Sequence, residues 1–279
     1  MRPSLRHALA SLVLLLVAEA TSGAQGVVLQ IRPRLGDTLR MRLDQHVEMS
    51  ATAKMRDADS TMSITSSLLV FTRAIVDGRD TAGTFMTATT DSVSLVSSGA
   101  DSSTAASEAR HALLGRRVRL HVAPDGATEV IGGGEGVNPE LRALFAQMPA
   151  TLPRHEIVVG ASWSRVMVIP LPGEQTTKGA GTLKATFRFD SLSRDGDMAF
   201  LSMRGTLARA PSPAGDRYGA TLTMTGAVTG SMIVDRRRGW LTDAHATFTV
   251  RSLLTPPPGS PVSPMRFRMK ITQWMRSVK

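Results

Sequence analysis

Residues 39–50 read LRMRLDQHVEMS: Leu39, Met41, Leu43, Val47 and Met49 alternate with Arg40, Arg42, Asp44, His46, Glu48 and Ser50. A period of two places the first set on one face of a β-strand and the second on the other. A helix would scatter both sets around its axis, because each residue turns by about 100°. One dry face and one wet face is the pattern of antiparallel sheet.

The same alternation recurs along the chain. Met265, Phe267, Met269, Ile271 and Met275 oppose Arg266, Arg268, Lys270, Thr272 and Arg276. Leu183, Ala185, Phe187 and Phe189 alternate with Lys184, Thr186, Arg188 and Asp190, and Val118, Leu120 and Val122 with Arg117, Arg119 and His121. Turn signals separate such runs at Asp77-Gly78, Pro124-Asp125-Gly126, Asp195-Gly196 and Arg238-Gly239, where hairpins need residues tolerant of positive φ. The span from Gly219 to Val250 reads as two strands joined at Asp235–Gly239. Gly226 and Gly230 share one face of the first, which marks a bulge or a close packing contact. Thr255 to Pro264, rich in proline, reads as an extended loop before the last strand.

Helix is scarce. Asn138-Pro139-Glu140 can start one that runs to about Met148, and a weaker candidate spans Thr104–Leu114. Asp57–Ser60 and Ser97–Ser103 read as exposed turns. The expected fold is mainly β, one curved antiparallel sheet or incomplete β-barrel with one or two short covering helices. Residues 25–279 form a single domain in this reading.

The first 24 residues have a different pattern. Arg2, Arg6 and His7 precede the apolar run Leu9–Val17, and Ser22-Gly23-Ala24 supplies small residues for a cut. That is a cleavable secretory signal, cut after Ala24, and it sends the protein to the periplasm or outside the cell. A chain of 279 residues without cysteine has no disulfide framework and no thiolate metal site. The net charge is +10, and of 33 basic residues all but Lys54, Lys178, Lys184, Lys270 and Lys279 are arginine. Two readings stand side by side: a compositional bias toward arginine, or a surface that meets the phosphates of an anionic membrane. Nucleic acid is excluded as a partner by export and by the lack of a binding motif.

Few residues suggest chemistry. Asp44, His46 and Glu48 share the wet face at every second position, as do Asp243 and His245, so a divalent ion is conceivable there; a solvated polar face explains them as well. His155 reads as a loop residue. Gly160-Ala161-Ser162-Trp163-Ser164 lacks the fifth-position glycine of a nucleophile elbow and is followed by a strand. Gly132–Gly136 lacks the lysine and hydroxyl of a phosphate loop. No catalytic residues, metal or cofactor are assigned, and a non-enzyme is expected. The dry faces say more, because fifteen methionines outnumber twelve aromatics. Methionine adapts to irregular shapes. Met41, Met49, Phe187, Met224, Met232, Met265, Phe267 and Met269 are therefore candidate linings of a groove for a lipid or a lipidated protein.

Several ordered pieces together resemble a known type. They are Gly36-Asp37-Thr38, Pro124-Asp125-Gly126, a helix ending near Leu152-Pro153, Gly160-Ala161-Ser162-Trp163 leading to Pro170, Asp195-Gly196, and Gly226–Gly230 followed by Asp235–Gly239. In that order they resemble an exported bacterial domain of unknown function, the DUF6263-like proteins, and more remotely the periplasmic lipoprotein-carrier half-barrels. The chain departs from the first pattern at Gly160-Ala161, where Gly-Asp is usual. The resemblance implies an incomplete antiparallel barrel in the cell envelope and brings no catalytic residue. The expected role is a non-catalytic envelope protein that binds an apolar or lipidated ligand. The alternatives are a fully packed structural or protein-interaction module and, more remotely, a hydrolase, whose sign would be His46 or His245 beside a serine and a carboxylate. Oligomeric state is not readable.

Overall fold

A computed structural model describes residues 26–55, 58–98, 102–133, 151–169, 181–209, 221–261 and 263–278. The proposed leader, the helix expected over 138–148 and Gly134–Gly136 lie outside the described residues. The strands are β1 Thr38–Met55, β2 Ala58–Arg79, β3 Thr84–Ser97, β4 Arg117–Val122, β5 Thr128–Gly133, β6 Ser162–Ile169, β7 Gly181–Leu192, β8 Met198–Arg209, β9 Thr221–Asp235, β10 Trp240–Thr255 and β11 Met265–Val278. One helix, α1 (Ser102–Leu113), links β3 to β4 and lies beside β3.

All eleven strands form one antiparallel sheet in the order β5-β4-β3-β2-β1-β11-β10-β9-β8-β7-β6. The first and last strands pair at its centre, from Arg40↔Val278 to Ala53↔Met265, and the edges β5 and β6 do not pair. The curved sheet therefore stays open. The register carries the alternation across strands: Leu39 stands opposite Ala74, and Ala74 opposite Ala88, so one apolar face runs from wing to wing. Three expected turns are corrected. Asp77-Gly78 lies inside β2, at a register shift opposite Phe85, and the chain turns instead at Asp80–Gly83; Ser97 ends β3, while Ser102 and Ser103 begin α1. Ala58–Ser60 belong to β2, paired with Met55–Ala53, because the polar start of that strand continues the β1 register.

Two wings that never pair meet instead on an inserted segment. Val27, Leu29 and Ile31, with Leu152 and Ile157, pack between Leu39, Val76, Met86 and Val122 of one wing and Phe189, Leu201 and Val234 of the other. The insert is tied by backbone bonds: Val27 with Ile157 (2.8 and 3.0 Å), Ile31 N–H to the Pro124 carbonyl (2.8 Å) and Arg32 N–H to the Gly239 carbonyl (2.7 Å). Asp125, buried at 3%, receives Arg154 Nε at 2.6 Å, and its carbonyl accepts the amides of Thr151 and Leu152. Arg165, on the inner face of β6, donates to the Leu152 carbonyl (2.5 Å). A second cluster continues along β6–β10 around Phe187, Leu183, Met224 and Val228. Gly226 and Gly230 lie beside it: a Cβ there would stand 2.6 Å from the Thr249 carbonyl oxygen and 2.4 Å from the His245 carbonyl oxygen of β10. The register is unbroken at both, so close packing and not a bulge accounts for them.

Candidate functional site

The inner face is sealed at one end and uncovered at the other. At the sealed end Leu39, Met41, Val76 and Phe189 are buried under the insert or its neighbours. Farther along the same strands the row Ile64–Met49–Met269–Val250 crosses β2, β1, β11 and β10 in direct register. In that row Met49 is 38% exposed, and near it Met62 is 64% exposed.

The eight groove candidates all lie on the inner face, but not in one place. Phe187 (0%), Met224 and Met41 are buried; Phe187 stacks on Trp163 at 5.7 Å, and Trp240 Nε1 donates to Met41 Sδ at 3.4 Å. Met232 is half-buried and packs against both clusters. Met49, Met265, Phe267 and Met269 stand together at the uncovered end as cross-strand neighbours of one another or of Ala51 and Ala53. Of these four only Met49 is exposed; Met265, Phe267 and Met269 are half-buried, and Met269 packs against the second cluster.

The outer face holds the polar chemistry. His46 Nδ1 lies 2.9 Å from Ser67 Oγ across the β1–β2 pair, and His46 Nε2 lies 3.5 Å from Glu48 Oε1. Lys270 Nζ stands 3.6 Å from the same carboxylate oxygen. A serine, a histidine and a carboxylate are therefore in reach of one another, on a surface where His46 and Glu48 are about half exposed. Asp44 is held by Arg42 (2.7 Å) and Arg276 (3.7 Å), and Asp243 accepts Trp274 Nε1 at 2.8 Å. With those carboxylates engaged, no group of three His, Asp or Glu among the described residues is placed to hold a metal ion. His155 is exposed in a loop, and Ser162 opens a strand, as its sequence context indicates.

Two open grooves adjoin at His46. One, about 370 Å³, is bordered by Asp44, Ser67, His245 and Trp274. The other, about 620 Å³, is bordered by Glu48, Thr65, Arg251, Arg268 and Lys270. Most of these side chains lie on the outer, polar face, but Met49, Ile64, Val250 and Met269 of the inner row border the second groove as well. Ser67 was not singled out in the sequence; the signal that finds it is the β1–β2 register running from Met55↔Ala58 to His46↔Ser67.

No family model matches the chain, and no curated protein matches it. Among solved structures it is similar to an outer membrane channel from Pseudomonas putida F1, with 11% identity, coverage of 93% of this chain and 100% of that one, and a TM-score of 0.28. A likeness this loose carries no argument about the present chain.

Proposed function

We propose that this is an exported, non-catalytic envelope protein that binds the apolar chain of a lipid or lipidated protein at the uncovered end of its sheet. One observation carries this reading: the inward apolar side chains are sealed by the insert at one end, while at the other Met49 and Met62 are exposed with Met265, Phe267 and Met269 half-buried beside them. Each buried methylene contributes roughly 0.8 kcal/mol. About ten of them would gain about 8 kcal/mol before ordering costs, the scale of micromolar binding. The outer face carries Arg42, Asp44, His46 and Glu48 along the middle of β1, unlike the apolar outward band of a membrane-spanning barrel. Mass spectrometry of protein purified from its native envelope should find co-eluting lipid, and Met49→Lys with Met269→Lys should abolish it. A lipid-free native protein sinks the reading.

A second reading rests on the Ser67–His46–Glu48 contacts: a hydrolase in which His46 takes the Ser67 proton and Glu48 orients the imidazole. It ranks below the first because the neighbouring amides of β1 and β2 are committed to ladders on both sides, which leaves them no role as oxyanion donors. A fluorophosphonate probe should leave Ser67 unlabelled; labelling that Ser67→Ala removes would promote the hydrolase.

A further inference from the structure

We infer that Arg251 and Arg268, with Arg266 beside them, form a binding site for a phosphoryl group on the outer face. Arg251 of β10 stands directly opposite Arg268 of β11. Side chains so paired have Cβ atoms roughly 4.5–5.5 Å apart. Arg266, two residues along β11 on the same face, is about 7 Å away. Like charges placed opposite one another destabilise a sheet. Elsewhere on the outer face the chain relieves such strain with carboxylates: Arg42 and Arg276 meet Asp44, Arg73 meets Asp91, and Arg188 meets Asp190.

At this site no such relief is present. All three arginines are exposed, and none has an ion pair or hydrogen bond among the described residues. Glu48, the carboxylate bordering the same groove, is taken by Lys270 at 3.6 Å and His46 at 3.5 Å. The groove is about 620 Å³, which holds a phosphate ester, and hydroxyls of Ser50, Ser63 and Thr249 line it. Two guanidinium planes on adjacent strands offer paired N–H donors that match phosphate oxygens, a fit that single lysines lack. A phosphoryl anion would offset the repulsion that the fold leaves uncompensated. The ligand's chemistry is therefore a phosphate mono- or diester, whether free or as a lipid headgroup.

The test measures binding of the purified protein to inorganic phosphate, to glycerol phosphate, and to phosphatidylcholine vesicles with and without phosphatidylglycerol. Arg251→Gln with Arg268→Gln should weaken binding about tenfold or more, the scale of losing charge-assisted hydrogen bonds. The charge-matched pair Lys184→Gln with Arg204→Gln, exposed on the outer face of β7 and β8, should leave it within about twofold. Binding of the free phosphates identifies a soluble ester; binding of only the phosphatidylglycerol vesicles identifies a headgroup. Without ligand and at low salt, the Arg251/Arg268 variant should melt no lower than the parent, since it relieves like-charge contact. No binding of any probe, equal losses in the two variants, or a lowered melting temperature overturns the assignment. Phe267→Gln, at an inward residue of the apolar end that does not border this groove and with no charge added, should leave phosphate binding unchanged, so the apolar reading and this one stand or fall separately.

Discussion

Asp80 shows how single residues fix the turns of this sheet. Its carboxylate accepts the Gly83 amide at 2.7 Å and the Ala82 amide at 2.9 Å between β2 and β3, and His121 Nε2 stands 3.5 Å away. Gly83 has no alternative there, because a Cβ would lie 2.4 Å from the Val122 carbonyl oxygen. The Gly83 amide holds the Asp80 carboxyl below its ordinary 3.8; the Ala82 amide and His121 act the same way, and desolvation opposes them. A lowered folded value means that the turn's stabilisation is fully present above 3.8 and fades as pH falls through the lowered value. A carboxyl titration by NMR should place the Asp80 midpoint below 3.8, with the Gly83 amide shift following it. An unshifted midpoint, or a Gly83 amide indifferent to it, would show that the turn does not depend on this carboxylate.

Among elements, the inserted segment 26–33 holds the open sheet together. Leu29 is 1% exposed between the wings, so its side chain is a keystone with few ways to relax. Leu29→Ala should cost roughly 2–5 kcal/mol, the range for a large-to-small change in a packed core. Denaturant unfolding followed by tryptophan fluorescence checks it; a loss well under 1 kcal/mol would mean the wings close without the insert. This element was hard to read in the sequence. Val27, Leu29 and Ile31 alternate as a strand does, but the segment's bridge partner, Ile157, lies far along the chain and the run never joins the sheet. The start of β2 was hidden for another reason: at the uncovered end Ala58, Asp59 and Ser60 are exposed, so neither face looks dry. By contrast β1, β4, β7 and β11 were legible because charges separate nearly every apolar position. The candidate site was half legible. Parity identified the inward methionines, but only tertiary packing tells Met41 and Met224, which are buried, from Met49, which is not.

For the whole molecule, uneven cover should produce uneven stability. β1 is laddered to β2 and β11 along nearly its whole length, so its amides have similar hydrogen bonds at both ends. What differs is side-chain cover: Leu39 and Met41 are buried, while Met49 and, opposite Ala51, Met62 are exposed. Opening the far end exposes little additional apolar surface, whereas opening the near end must break the contacts of Leu29, Phe189 and Val234 as well. Amides of Leu39–Leu43 and Phe187–Phe189 should therefore exchange only through global unfolding. Those of Met49–Ala53 and Ser60–Ile64 should exchange through local opening, at rates that respond weakly to denaturant. Added lipid should slow the second set and leave the first unchanged, because a ligand protects only what its binding covers. Uniform protection along β1 would mean that the sheet opens as one unit, and the distinction between a sealed end and a receptive end would lose its energetic basis.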